Sequence, residues 1–201
     1  MVMALLVNDC GYIGEVRMIR KIVNKYILKK TSYDQELQYL LDNGLTLGKN
    51  VSNYSPYAFD SEYPWLIEIG DDTIISTNVK ILAHDASTGR PAIHYSKVGR
   101  VSIGKRCFIG CGSIVLCNVR IGDNCIIGAG SVVSKNIPDN SVAAGNPAKV
   151  ICTVEEFRAK HYENLSKVPV FEKAWNEWPN ATLQEKIEMK EKLKDTFGYV
   201  K

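Results

Sequence analysis

Between residues 103 and 138 an aliphatic residue returns at every sixth position without a gap, dividing the chain into IGKRCF, IGCGSI, VLCNVR, IGDNCI, IGAGSV and VSKNIP. A fixed period of this kind is the signature of a repeat architecture. Ile or Val opens every unit. The fifth positions are Cys107, Ser113, Val119, Cys125, Ser131 and Ile137, small or aliphatic groups suited to a crowded interior. The fourth positions are Arg106, Gly112, Asn118, Asn124, Gly130 and Asn136. Gly and Asn adopt left-handed backbone angles most readily, so the pattern predicts a tight corner once per hexapeptide. The same phase runs through IGDDTI, ISTNVK and ILAHDA at 69–86 and through LGKNVS at 47–52. If three hexapeptides make one triangular coil, the 34 residues from Ile69 to Ile103 hold one full coil and an excursion at about 87–102. Stacked coils would rise about 4.8 Å each, the spacing of neighbouring strands.

Helical patterns flank the repeats. Residues 33–43 read as a helix stopped by Gly44, while Thr153-x-x-Glu156 and Thr182-x-x-Glu185 are capping-box starts for two more. Solenoids need such caps on their terminal coils. The expected organisation is an N-terminal helical region at 1–46, a repeat domain at 47–151 and a C-terminal helical extension at 152–201. Within 15–30, Val16, Ile19, Val23, Tyr26 and Ile27 recur at helical spacing among six Lys or Arg residues. This basic amphipathic helix either packs one face on the domain or attaches to a membrane surface.

Composition narrows the function classes. The chain has 201 residues, 45% hydrophobic and 23% charged, with a formal net charge of +3, enough to bury a sizeable core. Residues 1–30 carry +4 of that charge. Tyr26 alone stands among the basic residues, not the series of aromatic rings a nucleic-acid platform would require, so no nucleic-acid partner is expected. The apolar start at residues 1–7 is too short to span a bilayer and lacks a preceding basic stretch, so neither a membrane span nor an export signal is expected. The six cysteines form no CxxC pair and fit reduced thiols in a cytosolic protein.

Two longer stretches, IGAGSVVSKNIPDNSVAAGNPAKVI at 127–151 and ILAHDAST at 81–88, resemble the hexapeptide-repeat acyltransferase family, which includes galactoside, maltose, serine, xenobiotic and polysaccharide acetyltransferases. FDSEYPWLIEIG at 59–70 looks most like members from capsule and exopolysaccharide gene clusters. The resemblance implies an all-β solenoid, a left-handed parallel β-helix with helical ends, assembled as a homotrimer with active sites between neighbouring prisms. It also implies acetyl-coenzyme A as co-substrate, a saccharide or other small hydroxyl acceptor, and a cytoplasmic location, at the inner face of the membrane if the basic helix binds there.

Site residues follow partly from the repeat and partly from the resemblance. His84 occupies a fourth position in register with Asn118 and Asn136, where it would bear a conformational cost that points to a role beyond folding. It also matches the family's general base, a task suited to an imidazole that titrates near neutral pH. Asn78 matches an acceptor-binding position and equally reads as a corner residue. Asp85 either orients His84 or caps the excursion. Asp60 reads as an acceptor ligand or as a surface-loop carboxylate. Cys111 and Ala129, 18 residues apart, stack on one column that matches the path of the pantetheine arm. Ser134, Lys135, Pro147 and Lys149 match positions near the adenosine and phosphate end. Cys107 and Cys125 read as stacked core fillers. No metal is expected, because a zinc site of the carbonic anhydrase kind needs three imidazoles in coil register and the chain has only His84, His94 and His161. The reaction expected is O-acetylation of a saccharide by direct attack. The alternative is transfer to serine, an amino sugar or a xenobiotic, and the excursion is expected to govern that choice.

Overall fold

Three short runs of inward-facing aliphatic residues, each separated from the next by a tight corner, generate the core of the molecule. The computed structural model describes residues 32–201, apart from the side chains of residues 90 and 91. The basic helix expected at 15–30 lies outside the described residues. The strands of the first sheet are β1 (Thr46–Leu47), β2 (Ile67–Ile69), β7 (Val101–Ile103) and β10 (Val119–Ile121). The second is built from β3 (Ile74–Ile75), β8 (Phe108–Ile109), β11 (Ile126–Ile127) and β13 (Ser141–Gly145), and the third from β4 (Lys80–Ile81), β9 (Ile114–Val115) and β12 (Val132–Val133). Every one of these pairings is parallel, and the chain visits the three sheets in rotation. Ile103 pairs with Ile121, Ile109 with Ile127 and Val115 with Val133, so each return to a sheet takes three hexapeptides.

The inward set is the one the period predicts. Ile69, Ile75, Ile81, Ile103, Ile109, Val115, Ile121, Ile127 and Val133, all first positions, are essentially inaccessible to solvent. Apart from Asp85, where the excursion leaves the wall, the fifth positions from Thr73 to Ser131 are buried as well, and their polar atoms are satisfied from coil to coil. Thr73 donates to the Gly104 carbonyl at 2.9 Å, Ser113 to Gly128 at 3.0 Å and the Cys107 thiol to Gly122 at 3.1 Å. Contact with the Cys125 thiol, together with burial, pushes the Cys107 thiol up and keeps it protonated. Left-handed angles occur at Asn50, Asp72, Asn78, Arg106, Gly112, Asn118, Asn124 and Gly130, the fourth positions of their hexapeptides. His84 and Asn136 are not among them. The expected corner cost at His84 is therefore absent: instead of turning there, the chain continues extended into β5 (His84–Asp85), which pairs antiparallel with β6 (Lys97–Val98).

The excursion thus has its stem at His84 itself, earlier than residue 87, and ends where β7 rejoins the first sheet. A 3-10 turn at Ala86–Thr88 and a π-turn at Gly89–Ile93 form its tip, closed by left-handed His94, whose N–H donates to the Gly89 carbonyl at 2.8 Å. At the N-terminal end, α1 (Ser32–Asp42) stops at Gly44 (φ +96°), with Leu45 N–H donating to Leu40 and Gly44 N–H to Leu41, the paired bonds of a Schellman cap. At the other end β14 (Ala148–Thr153) pairs antiparallel with β13. It leads into α2 (Val154–Asn164), whose Thr153/Glu156 capping box is formed. A second such box, Thr182/Glu185, opens α3 (Leu183–Lys192). Strands β15 (Val170–Phe171) and β16 (Tyr199–Val200) tie the last segment together. Among the described residues no helix is long and apolar enough to cross a membrane.

The second hexapeptide position carries a column of glycines, Gly48, Gly70, Gly104 and Gly122, along one edge of the stack. A Cβ at Gly104 would lie 2.6 Å from the Gly122 carbonyl carbon, so the backbones of successive coils are in direct contact. Gly104→Ala is expected to lower the unfolding free energy by about 1–3 kcal/mol, measured by urea denaturation. An unchanged midpoint would show that this edge does not set the stacking.

Candidate active site

The coil preceding β2 is irregular. Leu47 pairs with Ile69, a step of 22 residues where the regular coils use 18, and the surplus is taken up by 3-10 turns at Pro56–Ala58 and Pro64–Leu66. Single bridges hold it in register: Ser52 pairs with Ile74, and Phe59, buried in the core, pairs with Ile81. The next residue, Asp60, is consequently fixed beside the point where the following coil departs from the wall, its N–H donating to the Ile81 carbonyl at 3.0 Å.

Asp60 is 6% exposed, so the surface-loop reading does not hold. Its Oδ2 accepts the backbone N–H of Ala83 at 2.9 Å and of His84 at 3.1 Å, and lies 2.5 Å from His84 Nδ1. Its Oδ1 accepts the N–H of Glu62 at 3.0 Å. These donors compensate the burial of a charge. They tie the carboxylate to the His84 backbone and imidazole, the geometry of a group that orients the ring. With a carboxylate against Nδ1, the imidazole carries its proton there and presents the Nε2 lone pair outward. The ring is flanked by Tyr63, with centroids 5.3 Å apart, and the Glu62 carboxylate stands 3.9 Å from Nε2.

Asp85, of whose two readings one was orientation of His84, does not touch the imidazole. Its Oδ1 accepts from Ser87 N–H at 2.9 Å as the cap of the Ala86–Thr88 turn, and hydrogen bonds from Ser87 hold its carboxyl below the usual carboxylate range. Asp85 therefore caps the excursion, and nothing brings it to the free nitrogen as an acceptor ligand. Asn78 makes a left-handed corner (φ +59°) on the edge between the second and third sheets.

That edge also carries the column expected for the cofactor. Thr77, Cys111 and Ala129 stack there: Gly112 N–H donates to Thr77 at 3.0 Å, Gly130 N–H to Cys111 at 2.8 Å, and the Thr77 hydroxyl lies 3.2 Å from Cys111 Sγ. Cys111 and Ala129 are exposed, and a Cβ at Gly112 or Gly130 would meet nothing within 4 Å. The column is a narrow, open strip that fits a thin, flexible arm laid along it. Ser134 and Lys135 sit beyond β12, and Pro147 and Lys149 at the β13–β14 hairpin, all exposed. Among the described residues no hydrogen bond or ion pair joins the first two to the second two. Within one chain, the imidazole and the column lie on different edges, separated by the third sheet. Among the described residues no three His, Cys, Asp or Glu side chains cluster as a metal site.

Comparison with known proteins bears on this arrangement. Residues 100–135 match the family model described as bacterial transferase hexapeptide (six repeats), in agreement with the resemblance seen in the sequence. The chain is 46% identical over 109 residues to Protein CapG of Staphylococcus aureus, a match covering 53% of this chain and 63% of that protein. It is 35% identical over 116 residues to the putative acetyltransferase YvoF of Bacillus subtilis (strain 168), covering 58% and 64% respectively. Each match thus spans less than two thirds of the curated relative. Among solved structures, a maltose O-acetyltransferase from Clostridium difficile 630 superposes with a TM-score of 0.49 at 25% identity, over 69% of this chain and 84% of its own.

The Asp60 anchor was missed from sequence because it stands 24 residues from its partner in a stretch without the hexapeptide phase. Asp60→Ala would leave three backbone N–H groups without their acceptor, and a fall of about 2–4 kcal/mol in unfolding free energy is expected. Urea denaturation checks this, and a loss no larger than that of His84→Ala would show that the carboxylate is not a structural anchor.

Proposed function

We propose that the chain is an acetyl-coenzyme A-dependent O-acetyltransferase acting on a hydroxyl of a saccharide, of the kind used as a capsule, exopolysaccharide or lipopolysaccharide precursor. The observation that carries the reading is the His84–Asp60 pair, a solvent-facing imidazole with its inner nitrogen anchored on a buried carboxylate, placed at the root of the excursion. This is the arrangement a general base requires: Nδ1 held on a carboxylate, and Nε2 on a partly exposed ring with the Glu62 carboxylate 3.9 Å away. The relatives named as a maltose O-acetyltransferase and a putative acetyltransferase are consistent with the class, while the saccharide acceptor follows from the resemblance of residues 59–70 to polysaccharide-cluster members.

Bound acetyl-coenzyme A supplies an activated thioester carbonyl. His84 Nε2 takes the proton of the acceptor hydroxyl as its oxygen forms the new C–O bond, and the imidazolium returns that proton to the departing sulfur as the C–S bond breaks. Asp60 holds the ring in place and balances the imidazolium charge while it exists. A backbone N–H would stabilise the oxyanion developing on the carbonyl. The open strip at Cys111 and Ala129 would seat the pantetheine arm, with Ser134, Lys135, Pro147 and Lys149 toward the nucleotide end. Asn78 would contact the acceptor.

Because strip and imidazole lie on different edges of one chain, the reading needs a second copy whose strip faces this imidazole; a homotrimer of left-handed β-helices with sites between neighbours is what the family resemblance implies for that assembly. The working organisation is the one expected from sequence, with 1–46 and 152–201 flanking a catalytic 47–151. The location is cytoplasmic, with the basic stretch at 15–30 drawing the enzyme to the inner face of the membrane.

His84→Ala is expected to keep its fold and assembly while turnover with acetyl-coenzyme A falls by roughly 10²-fold or more, followed by thiol release across an acceptor panel of saccharides, serine and amino sugars. A variant keeping over half its activity sinks the base assignment, and transfer only to serine or an amino sugar sinks the saccharide reading. Ala129→Trp is expected to raise the apparent KM for acetyl-coenzyme A without melting the coil, and unchanged saturation would move the thioester elsewhere.

A further inference from the structure

Two aromatic rings of the irregular first coil adjoin the His84 imidazole. The imidazole lies against Tyr63 with centroids 5.3 Å apart and the ring planes tilted by 50°, and Tyr63 in turn lies 5.5 Å from the indole of Trp65. The indole is 58% exposed, yet its root is fixed. Trp65 sits in the middle of the Pro64–Leu66 turn, with Pro64 buried and Leu66 packed against the core. Its backbone and Cβ press on Gly44 so closely that a Cβ there would lie 2.9 Å away. A large apolar ring left mostly in solvent contributes little to the fold, since burial is what stabilises it. The Glu62 carboxylate, 71% exposed and 3.9 Å from Nε2, adds a hydrogen-bond acceptor on the same side.

We infer that Trp65 is a binding subsite for the second ring of a glycan acceptor, so that the sugar acetylated at His84 is one unit of an oligosaccharide. The inference rests on the saccharide reading above and deepens it. Sugar rings present an apolar C–H face and a hydroxyl rim. The two aromatic faces match the first and Glu62 matches the second, the mixture typical of small-molecule sites. The reacting sugar lies over Tyr63 with its rim at Glu62 and Nε2, and its neighbour in the glycan lies over Trp65. Because the turn and Gly44 fix the Trp65 backbone and Cβ, and Tyr63 adjoins the ring, the ordering cost of binding is reduced.

The test is binding to the full chain, by saturation-transfer NMR and calorimetry, of paired probes: maltotriose and glucose, lactose and galactose, and oligosaccharides released from bacterial capsules with their component monosaccharides. Binding of at least one oligosaccharide more tightly than its monosaccharides is expected, with Trp65→Ala cutting that preference by about 3- to 10-fold and Trp65→Phe retaining most of it. The inference is overturned if no oligosaccharide is preferred, if the preference survives Trp65→Ala, or if Trp65→Ala alters the mass of the assembly, which would place the indole between copies of the chain. His84→Ala separates the two readings. Loss of transfer with no oligosaccharide preference removes the subsite alone, whereas a preference lost in Trp65→Ala alongside undiminished transfer in His84→Ala removes the base alone.

Discussion

Successive coils touch backbone to backbone along the column from Gly48 to Gly122, and that contact governs the rest of the molecule. It admits no side chain, so the corner must fall at the same point of every hexapeptide. Once the corners are aligned, the first positions of neighbouring coils stack directly, and the buried hydroxyls and thiols of Thr73, Cys107, Ser113 and Cys125 each find a carbonyl of the next coil within reach. A wall registered in this way leaves polar backbone groups paired throughout. It also defines where a departure can begin: β5 leaves after Ala83, and the Asp60 carboxylate accepts the N–H groups of Ala83 and His84 at that point.

The parts of this design that repeat are visible in the sequence, and those that occur once are not. Hexapeptides from 103 to 138 could be counted because each reuses the same chemistry at the same position. The two capping boxes were visible because Thr and Glu three apart satisfy a helix start without help from elsewhere. The first coil offers neither signal. Residues 53–66 place Ala58 and Phe59 in the core without a six-residue repeat and turn twice on prolines, so the period disappears while the register survives through single bridges. The bond from Asp60 to His84 joins two residues of no recognisable spacing. His84 stands out by residue type at a fourth position, where the period predicts a corner, but the two-residue strand β5, too short to show alternation, replaces the turn.

The division of labour between regular and irregular segments has a chemical counterpart. The regular wall supplies an open strip of small residues at Cys111 and Ala129. The irregular first coil supplies the carboxylate, the aromatic rings and Glu62, and the excursion supplies the imidazole at its stem. On the proposed reading the strip and the imidazole come from different copies, so assembly and chemistry are a single requirement.

The antiparallel strand β14 has a further consequence. A stack of parallel strands ends in a row of unpaired N–H and C=O groups, which invites another chain to continue it. At the last coil β13 does not present that row, because the chain doubles back through Gly145 and Pro147 and lays β14 along it before entering α2. The hairpin works as a terminator of growth. A chain cut before residue 148 would retain the repeats yet expose the edge of the second sheet as a template, and fibrous end-to-end association would then compete with orderly assembly.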